Sequence, residues 1–223
     1  MASTASFLDA VANRRTVYNL SSTSPIPKSR IIEIVNHTLK YCPSPFNVRT
    51  CRMIVLFDDA HTKLWDHAAD VVPGTVPEGI RDLVVERLKW CRASFGTVSL
   101  FDITQDCSSG GSSCILQILF FDDSSAYADL PTHLAAILAE RPDGEDRAQG
   151  MHEFIVWTAL AAEGLGCNIQ HFHPGITPYV TETFNVPESW TLKCQMVFGE
   201  PVDGPGDEPA RTYIEKALRV YGG

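Results

Sequence analysis

The chain has 223 residues, of which 44% are hydrophobic and 20% charged, and this suits a globular protein with a full hydrophobic core. Its formal net charge of −9 argues against a general nucleic-acid binder or a protein of acidic membrane surfaces. Any phosphate group that it holds must therefore be held by a few local arginines. Seven cysteines, an odd number with no C-x-x-C pair, suit a reducing compartment better than a secreted disulfide framework.

The N-terminus lacks the basic start and long apolar run of a secretory signal, and no stretch reaches the length of a membrane span. We therefore expect a soluble intracellular protein of the cytoplasm, with the nucleus left open as a further location. No internal repeat and no second domain stand out, so we expect one domain over residues 1–223.

A short apolar helix, capped by Thr4 or Ser6, opens the chain and leads into Arg14, Arg15 and Thr16. Two adjacent arginines after an apolar helix are usually solvated. With a hydroxyl beside them they can also hold a phosphate, because guanidinium groups offer forked donors to its oxygens. The sequence alone leaves both interpretations open.

The next elements follow from the apolar spacing and from prolines. Ile31, Val35 and Leu39 lie on one stripe of a second helix, which ends before Pro43. The turn at residues 43–47 is rich in side-chain donors and acceptors. Beyond it the pattern predicts a strand at 52–57, helices at about 62–71 and 78–93, and a second strand at 96–101.

The least regular part of the chain runs from Asp102 to Gln149. Residues 115–121 form an apolar run that fits either a strand or a buried helical turn, because short runs are ambiguous. Residues 132–140 are predicted to form a helix, and the charged residues 141–147 a turn and loop.

Residues 150–174 hold the most informative pattern. A helix that is apolar almost all round belongs in a core or an oligomer interface. Gly164 and Gly166 are expected to end it, and the extended stretch that follows carries Gln170 and His171. A plain core helix followed by an ordinary strand is the alternative. The apolar positions of the helix are Phe154, Ile155, Val156, Trp157, Ala159, Leu160, Ala161 and Ala162.

Several familiar mechanisms find no support. No G-x-G-x-x-G follows a strand, and neither a P-loop nor a G-x-S-x-G elbow occurs. His171 and His173 lack a third ligand at suitable spacing, so we predict no metal site.

The C-terminal part is predicted to contain a helix near 177–184 and a strand at 193–198. A linker follows, and the tail after it is predicted to dock on its own core or on a partner subunit.

Five motifs together resemble the nitroreductase family, and within it the fungal and bacterial branch named for a fatty acid repression mutant protein. They occur in the family's order and cover nearly the whole chain. They are NRRTVY at 13–18, PSPFN at 43–47, GTVSLF at 96–101, WTALAAEGLGCNIQHF at 157–172 and QMVFGEP at 195–201.

The resemblance implies an α+β fold in which helices flank a mostly antiparallel sheet, built as an intertwined homodimer with an FMN at each of two interface sites. The FMN phosphate and ribityl chain would meet Arg14, Arg15 and Thr16, which include the only adjacent arginine pair of the chain. The other contacts implied are Ser44 and Asn47 from the other subunit, Gln170 and His171 from the same subunit, and Arg211 or Arg219 as a further phosphate cation.

By the same resemblance, the activity is an FMN-dependent oxidoreductase that uses NAD(P)H to reduce nitroaromatics, quinones or a specialised small metabolite. The chemistry resides in the cofactor, so no catalytic acid–base residue is expected. The alternative is a protein that keeps the fold but has a non-redox flavin-binding or regulatory role.

The chain departs from the family pattern in four places. Arg49 stands where the family usually has Gln, and Phe172 stands where it has Tyr. The segment at about 102–149 is expected to be a lid and lacks the family's Trp. This altered lid indicates that the protein accepts a narrow range of substrates. In the tail at about 200–223, Ala217 falls where an arginine is expected, so the C-terminal phosphate cation is not settled.

Overall fold

The structure is a computed structural model, and it describes residues 4–94, 116–128, 130–140, 143–206 and 217–222. Within these residues, seven α-helices surround a sheet of four strands. The helices are α1 Thr4–Asn13, α2 Lys28–Tyr41, α3 Asp59–Val71, α4 Glu78–Ala93, α5 Thr132–Ala139, α6 Asp143–Ala162 and α7 Thr177–Thr183. The strands are β1 Cys51–Phe57, β2 Leu116–Asp123, β3 Gly166–Gln170 and β4 Trp190–Gly199.

The sheet is antiparallel throughout, with the strand order β1-β2-β4-β3. Its register aligns Gln170 with Gln195, Gln195 with Leu119, and Leu119 with Ile54. Strands β1 and β3 therefore form opposite edges, about 14 Å apart at three strand spacings. The predicted α+β class with an antiparallel sheet is confirmed.

Each face of the sheet is covered by helices. In β1, Met53 and Val55 join the core under α2 and α6, whereas Ile54 and Leu56 join the core under α3 and α4. This alternation is the period of two that a strand imposes on its side chains. Strand β2 is buried between its two neighbours, which decides the ambiguous run at 115–121 in favour of a strand.

Helix α6 begins earlier than expected. The loop predicted at 141–147 is wrong from residue 143 onward, because α6 starts at Asp143. Three acidic residues fall in its first four positions, where the helix dipole favours negative charge. Asp146 also pairs with Lys193 across 3.1 Å, and the Tyr127 hydroxyl donates a hydrogen bond to Glu145. These contacts stabilise a helix in a segment whose composition is typical of a loop.

The end of α6 agrees with the glycine prediction. Gly164 has a φ of +90°, a conformation that costs glycine little, and the Leu165 N–H donates to the Leu160 carbonyl at 3.0 Å. The chain then turns directly into β3. This strand ends at Gln170, so His171 lies just beyond the sheet.

Some of the predicted elements lie outside the described residues, and the structure restricts which residues could form the predicted lid. The strand predicted at 96–101 lies outside them, and the five cysteines that the structure describes are free thiols. The segment at 102–149 contains the central strand β2, so a lid would have to be formed by the residues on either side of that strand. None of the described helices is long and apolar enough to cross a membrane.

Candidate functional site

The segment after α1 runs alongside β3. Thr16 forms a parallel bridge with Cys167, and the Val17 N–H donates to the Cys167 carbonyl at 3.0 Å. Gly166 makes this approach possible, because a Cβ built there would lie 2.7 Å from Leu20 Cδ2 and 2.9 Å from Val17 Cβ. The structure therefore brings the arginine motif and the strand that carries Gln170 to one edge of the sheet.

The two arginines at this edge are held by the protein itself. The guanidinium of Arg14 lies 4.3 Å from the centre of the Trp157 ring on α6. Arg15 Nη1 donates to the Arg14 carbonyl at 3.2 Å and also to the Ala12 carbonyl in the last turn of α1. Cations are favourable at a helix C-terminus, so the pair also stabilises α1. Thr16 is exposed beside them.

A short relay of side-chain amides links this segment to Gln170. Asn168 Nδ2 donates to the Val17 carbonyl at 2.8 Å, and Gln170 Nε2 donates to Asn168 Oδ1 at 2.7 Å. A backbone carbonyl can only accept, so the first bond fixes the orientation of both amides. The open end of the relay is consequently the carboxamide oxygen of Gln170, which is an acceptor.

The chain beyond Gln170 is anchored from β4. The Phe172 N–H donates to Oε1 of the fully buried Gln195 at 2.9 Å, while His171 is exposed. His171 and His173 have ring centroids 6.1 Å apart. Burial lowers the pKa of His173, and the nearby His171 and Lys193 lower it further. Across the described parts of the chain, no group of three or more potential ligands forms a metal site.

The PSPFN turn lies at the other edge and has an unusual backbone. Phe46, Asn47 and Arg49 have φ values of +48°, +58° and +56°. Such values are uncommon for residues with a side chain and cluster at functional sites. Ser44 Oγ accepts the Arg49 N–H at 2.9 Å, and Asn47 Oδ1 accepts from Arg49 Nε at 3.0 Å. The turn is thus tied together by its own side chains.

Two cavities flank this turn. One holds about 300 Å³ and extends toward β1, and the other holds about 410 Å³ and extends toward α5. The first is lined by Leu39, Cys42, Arg49, Cys51, Arg52, Met53, His152 and Trp190. The second is lined by Pro43, Ser44, Pro45, Phe46, Ile137, Leu138, Gly144, Arg147 and Met151.

The predicted site residues thus form two groups within one protomer. Arg14, Arg15, Thr16, Gln170 and His171 gather at the β3 edge. Ser44 and Asn47 lie in the turn before β1, at the opposite edge. Their prediction as contacts from another subunit is compatible with this separation and stays a prediction. Of the two C-terminal candidates, Arg211 lies outside the described residues and Arg219 is exposed in the segment 217–222.

Sequence reasoning missed the residues that support the site. Asn168 and Gln170 are two positions apart and therefore face the same side of β3, a spacing that indicates a contact. Gln195 begins the QMVFGEP motif, but its supporting role gave no local signal, because its partner lies 23 residues away. Cys167 is fully buried, and burial raises the pKa of its thiol, so it is inert rather than reactive.

The comparisons with known proteins agree with this arrangement. A sequence model of the nitroreductase family matches residues 11–97. The nitroreductase FRM2 of Saccharomyces cerevisiae is 28% identical over 99% of this chain and 100% of its own length. The structure of the nitroreductase CinD from Lactococcus lactis, in complex with chloramphenicol, is 29% identical, with a TM-score of 0.74 over 96% of this chain and 100% of CinD.

The chain is similar to the nitroreductase family in residues 11–97 and to two nitroreductases over nearly its whole length. This similarity supports an oxidoreductase function. A nitroreductase from Desulfovibrio desulfuricans, solved in complex with FMN, shares the fold at a TM-score of 0.61 over 96% of this chain and 97% of that one, with 13% identity. At that identity the likeness concerns the fold alone. The family match covers the arginine motif, the PSPFN turn and β1, while the two relatives extend the similarity through β3 and β4.

Proposed function

We propose that this protein is an FMN-dependent oxidoreductase that takes reducing equivalents from NAD(P)H. Its second substrates would be nitroaromatics, quinones or a specialised small metabolite. The working form would be an intertwined homodimer in which each site combines the β3 edge of one protomer with the β1 edge of its partner. The observation that carries the proposal is the docking of residues 16–17 onto β3, which puts two guanidinium groups and the Gln170 amide at one edge.

The β3 edge suits a phosphate-bearing cofactor. A phosphate dianion needs clustered, forked donors in a protein of net charge −9, and Arg14 and Arg15 supply two guanidinium groups beside the Thr16 hydroxyl. The contact with Trp157 holds Arg14 in place, which lowers the entropy lost when a ligand binds. The tight approach at Gly166 keeps these groups close to the strand that carries Gln170.

Gln170 and Asn168 would orient the flavin ring. Because the relay fixes the Gln170 oxygen as an acceptor, we expect it to receive a hydrogen bond from a ring N–H. Bound FMN would supply the redox chemistry, since a flavin accepts a hydride and passes electrons to a second substrate. The protein would contribute position and hydrogen bonds, and His171 would lie at the margin of this ring as an exposed polar side chain.

The surface of α6 supports the dimer. Met151 and Phe154 are 39% and 37% exposed on this helix, and Phe46 of the nearby turn is 49% exposed. Large apolar side chains grouped on a surface commonly mark an interaction site. A second copy that covered this face would bring its β3 edge toward the turn that holds Ser44 and Asn47. Small aromatic substrates agree with the chloramphenicol bound in CinD.

Colour tests the proposal directly. The purified protein should show flavin absorption at about 450 nm, and anaerobic NADH or NADPH should bleach it. Bleaching followed by recovery with a quinone would support the full cycle. Stable colour that neither nucleotide bleaches would favour the non-redox flavin-binding alternative. A colourless protein that cannot be loaded with FMN would contradict the proposal.

A further inference from the structure

The cavity between the PSPFN turn and β1 has a distinctive lining. Its walls are mostly apolar, yet three basic side chains, Arg49, Arg52 and His152, reach it, and none of the described residues that line it is acidic. A volume of about 300 Å³ is at the lower end of the range for small-molecule sites. In a protein with a net charge of −9, whether this cavity favours an anionic ligand depends on which of the three basic groups is already paired or neutral.

The charge of Arg52 is already balanced. Its Nη2 pairs with Asp123 Oδ2 at 2.8 Å, and Asp123 is buried. Its Nη1 donates to the carbonyls of Arg49 and Cys51 at 2.6 and 3.1 Å. Arg52 therefore serves as a wall of the cavity and fixes the backbone of Arg49.

Arg49 offers the charge that a ligand can use. Its Nε donates to Asn47 Oδ1, and its backbone N–H donates to Ser44 Oγ, so the residue is held at two points. Its two Nη groups make no hydrogen bond or ion pair with any residue that the structure describes. A guanidinium held in this way is suited to bind a carboxylate through two parallel hydrogen bonds.

His152 supplies an acceptor on another wall. Its Nδ1 lies 2.7 Å from the Ala148 carbonyl, which can only accept, so Nδ1 carries the proton. Burial lowers the pKa of His152, in agreement with a neutral ring. Nε2 is then a hydrogen-bond acceptor, and the hydrogen bond of Nδ1 is the one that the ring makes with the described residues. Trp190 and Met53 also line the cavity and add flat and flexible apolar surface.

We propose that this cavity binds a small aromatic acid whose carboxylate meets Arg49 and whose hydroxyl or amino group donates to His152. The aromatic ring would lie against Trp190 and Met53. The proposal rests on the proposed function for its role as the pocket of the second substrate. Ser44 and Asn47, which would reach the partner's flavin, hold Arg49 at the mouth of the same cavity. The class of preferred substrate would then be aromatic or quinonoid acids.

Titration calorimetry with the full-length, FMN-loaded protein tests the cavity, using 3- and 4-hydroxybenzoate, benzoate and phenol as probes. A hydroxybenzoate should bind more tightly than both benzoate and phenol. Arg49→Gln should weaken hydroxybenzoate binding about tenfold or more, since a charged hydrogen-bonded pair is lost, and should leave phenol unchanged. Arg81→Gln, a surface arginine outside the cavity, should change neither.

A second variant separates the two polar contacts. His152→Phe fills a similar volume without an acceptor, so hydroxybenzoate should bind it no better than benzoate. Equal binding of hydroxybenzoate and phenol, or an unchanged affinity in Arg49→Gln, would overturn the proposal. A protein that NAD(P)H bleaches but that binds none of the probes would keep the proposed function and refute the cavity. A protein that cannot hold FMN would refute the proposed function, and titration of that protein would still measure the cavity.

Discussion

The two edges of the sheet are finished in different ways. At β3, the segment after α1 docks by backbone bonds to Cys167, and Asn168 and Gln170 continue the network. At β1, the residues from Phe46 to Arg49 just before the strand include three non-glycine residues with positive φ, and two cavities flank the turn. Among the described residues, the chain thus completes the β3 edge by itself and provides no further backbone partner for β1. A site that needs both edges requires two copies, because within one copy they are separated by two strands.

The largest expected effect comes from the apolar face that would join the copies. Phe154 is 37% exposed, so Phe154→Glu should leave the protomer folded. In a dimer it would bury an unpaired charge, which costs several kcal/mol at about the level of a broken buried ion pair. We expect a monomer without FMN in light scattering and absorption spectra.

Leu83→Glu is the matched control for this variant. Leu83 is 65% exposed on α4, on the opposite face of the sheet from α6. The same charge there should leave both the dimer and the flavin in place. A Phe154→Glu protein that remained a flavin-loaded dimer would show that α6 is not the interface.

The phosphate contact should have the next largest effect, and it tests the β3 edge. Arg15→Ala removes charge-assisted hydrogen bonds worth about 1.5–3 kcal/mol, which corresponds to about tenfold or more in FMN affinity. Riboflavin lacks the phosphate and should lose much less. Fluorescence titration of both flavins gives the comparison. Equal losses would mean that Arg15 acts by capping α1 through the Ala12 carbonyl and not by binding phosphate.

A substitution of Gly166 tests how closely Val17 and Leu20 pack against β3. In Gly166→Ala the new methyl group would collide with Val17 and Leu20, at a cost of about 1–3 kcal/mol of unfolding free energy. FMN affinity should fall with it, because residues 14–16 would be displaced from β3. Gly79→Ala, on a helix with open space around the new Cβ, is the control. Denaturant unfolding that showed equal stability for the two variants would refute the tight docking.

The smallest expected effect depends on pH and concerns the start of α6, on the β1 side. Burial, followed by a hydrogen bond and the charge of Asp122, raises the pKa of Glu145 to about 7. The folded protein therefore holds this proton more tightly than the unfolded chain, and its stability falls as pH rises from the ordinary glutamate value to about 7.

Glu145→Gln should remove that loss. Relative to the parent, the variant should gain stability between pH 5 and 8, on the order of 1 kcal/mol after allowance for partial solvent exposure. Urea unfolding at both pH values measures it. A stability difference that did not change with pH would mean that Glu145 is ionised over the whole range.

Much of the fold follows from local patterns in the sequence. Alternating apolar residues predict β1, the stripe of Ile31 and Val35 predicts α2, and Gly164 marks the end of α6 correctly. The first turn of α6 was not predictable, because it depends on the ion pair of Asp146 with Lys193 and on the hydrogen bond from Tyr127 to Glu145. Charge that depends on distant partners has no local signature.

The residues of the candidate site also fall into two groups, those that sequence motifs predict and those that only the fold reveals. Arg14, Arg15 and Gln170 could be selected from motifs, and the structure brings them to one edge. The supporting roles of Gln195 and His152 could not, since each depends on strand register or on the wall of a cavity. Sequence identifies groups with suitable chemistry, whereas the fold decides which of them meet.

Subunit complementation tests the central claim that one site uses the β3 edge of one copy and the β1 edge of another. Arg15→Glu should repel the phosphate at one edge, and Ser44→Trp should obstruct the flavin at the other, where the extended backbone of Ser44 tolerates an aromatic side chain. Each variant alone should bind no FMN. After the two are unfolded together and refolded as a mixture, half of the dimers should be hybrids with one unaltered site each, so about a quarter of all sites should recover flavin. If both edges of a site came from the same chain, every site would retain a defect, and a colourless mixture would contradict the account.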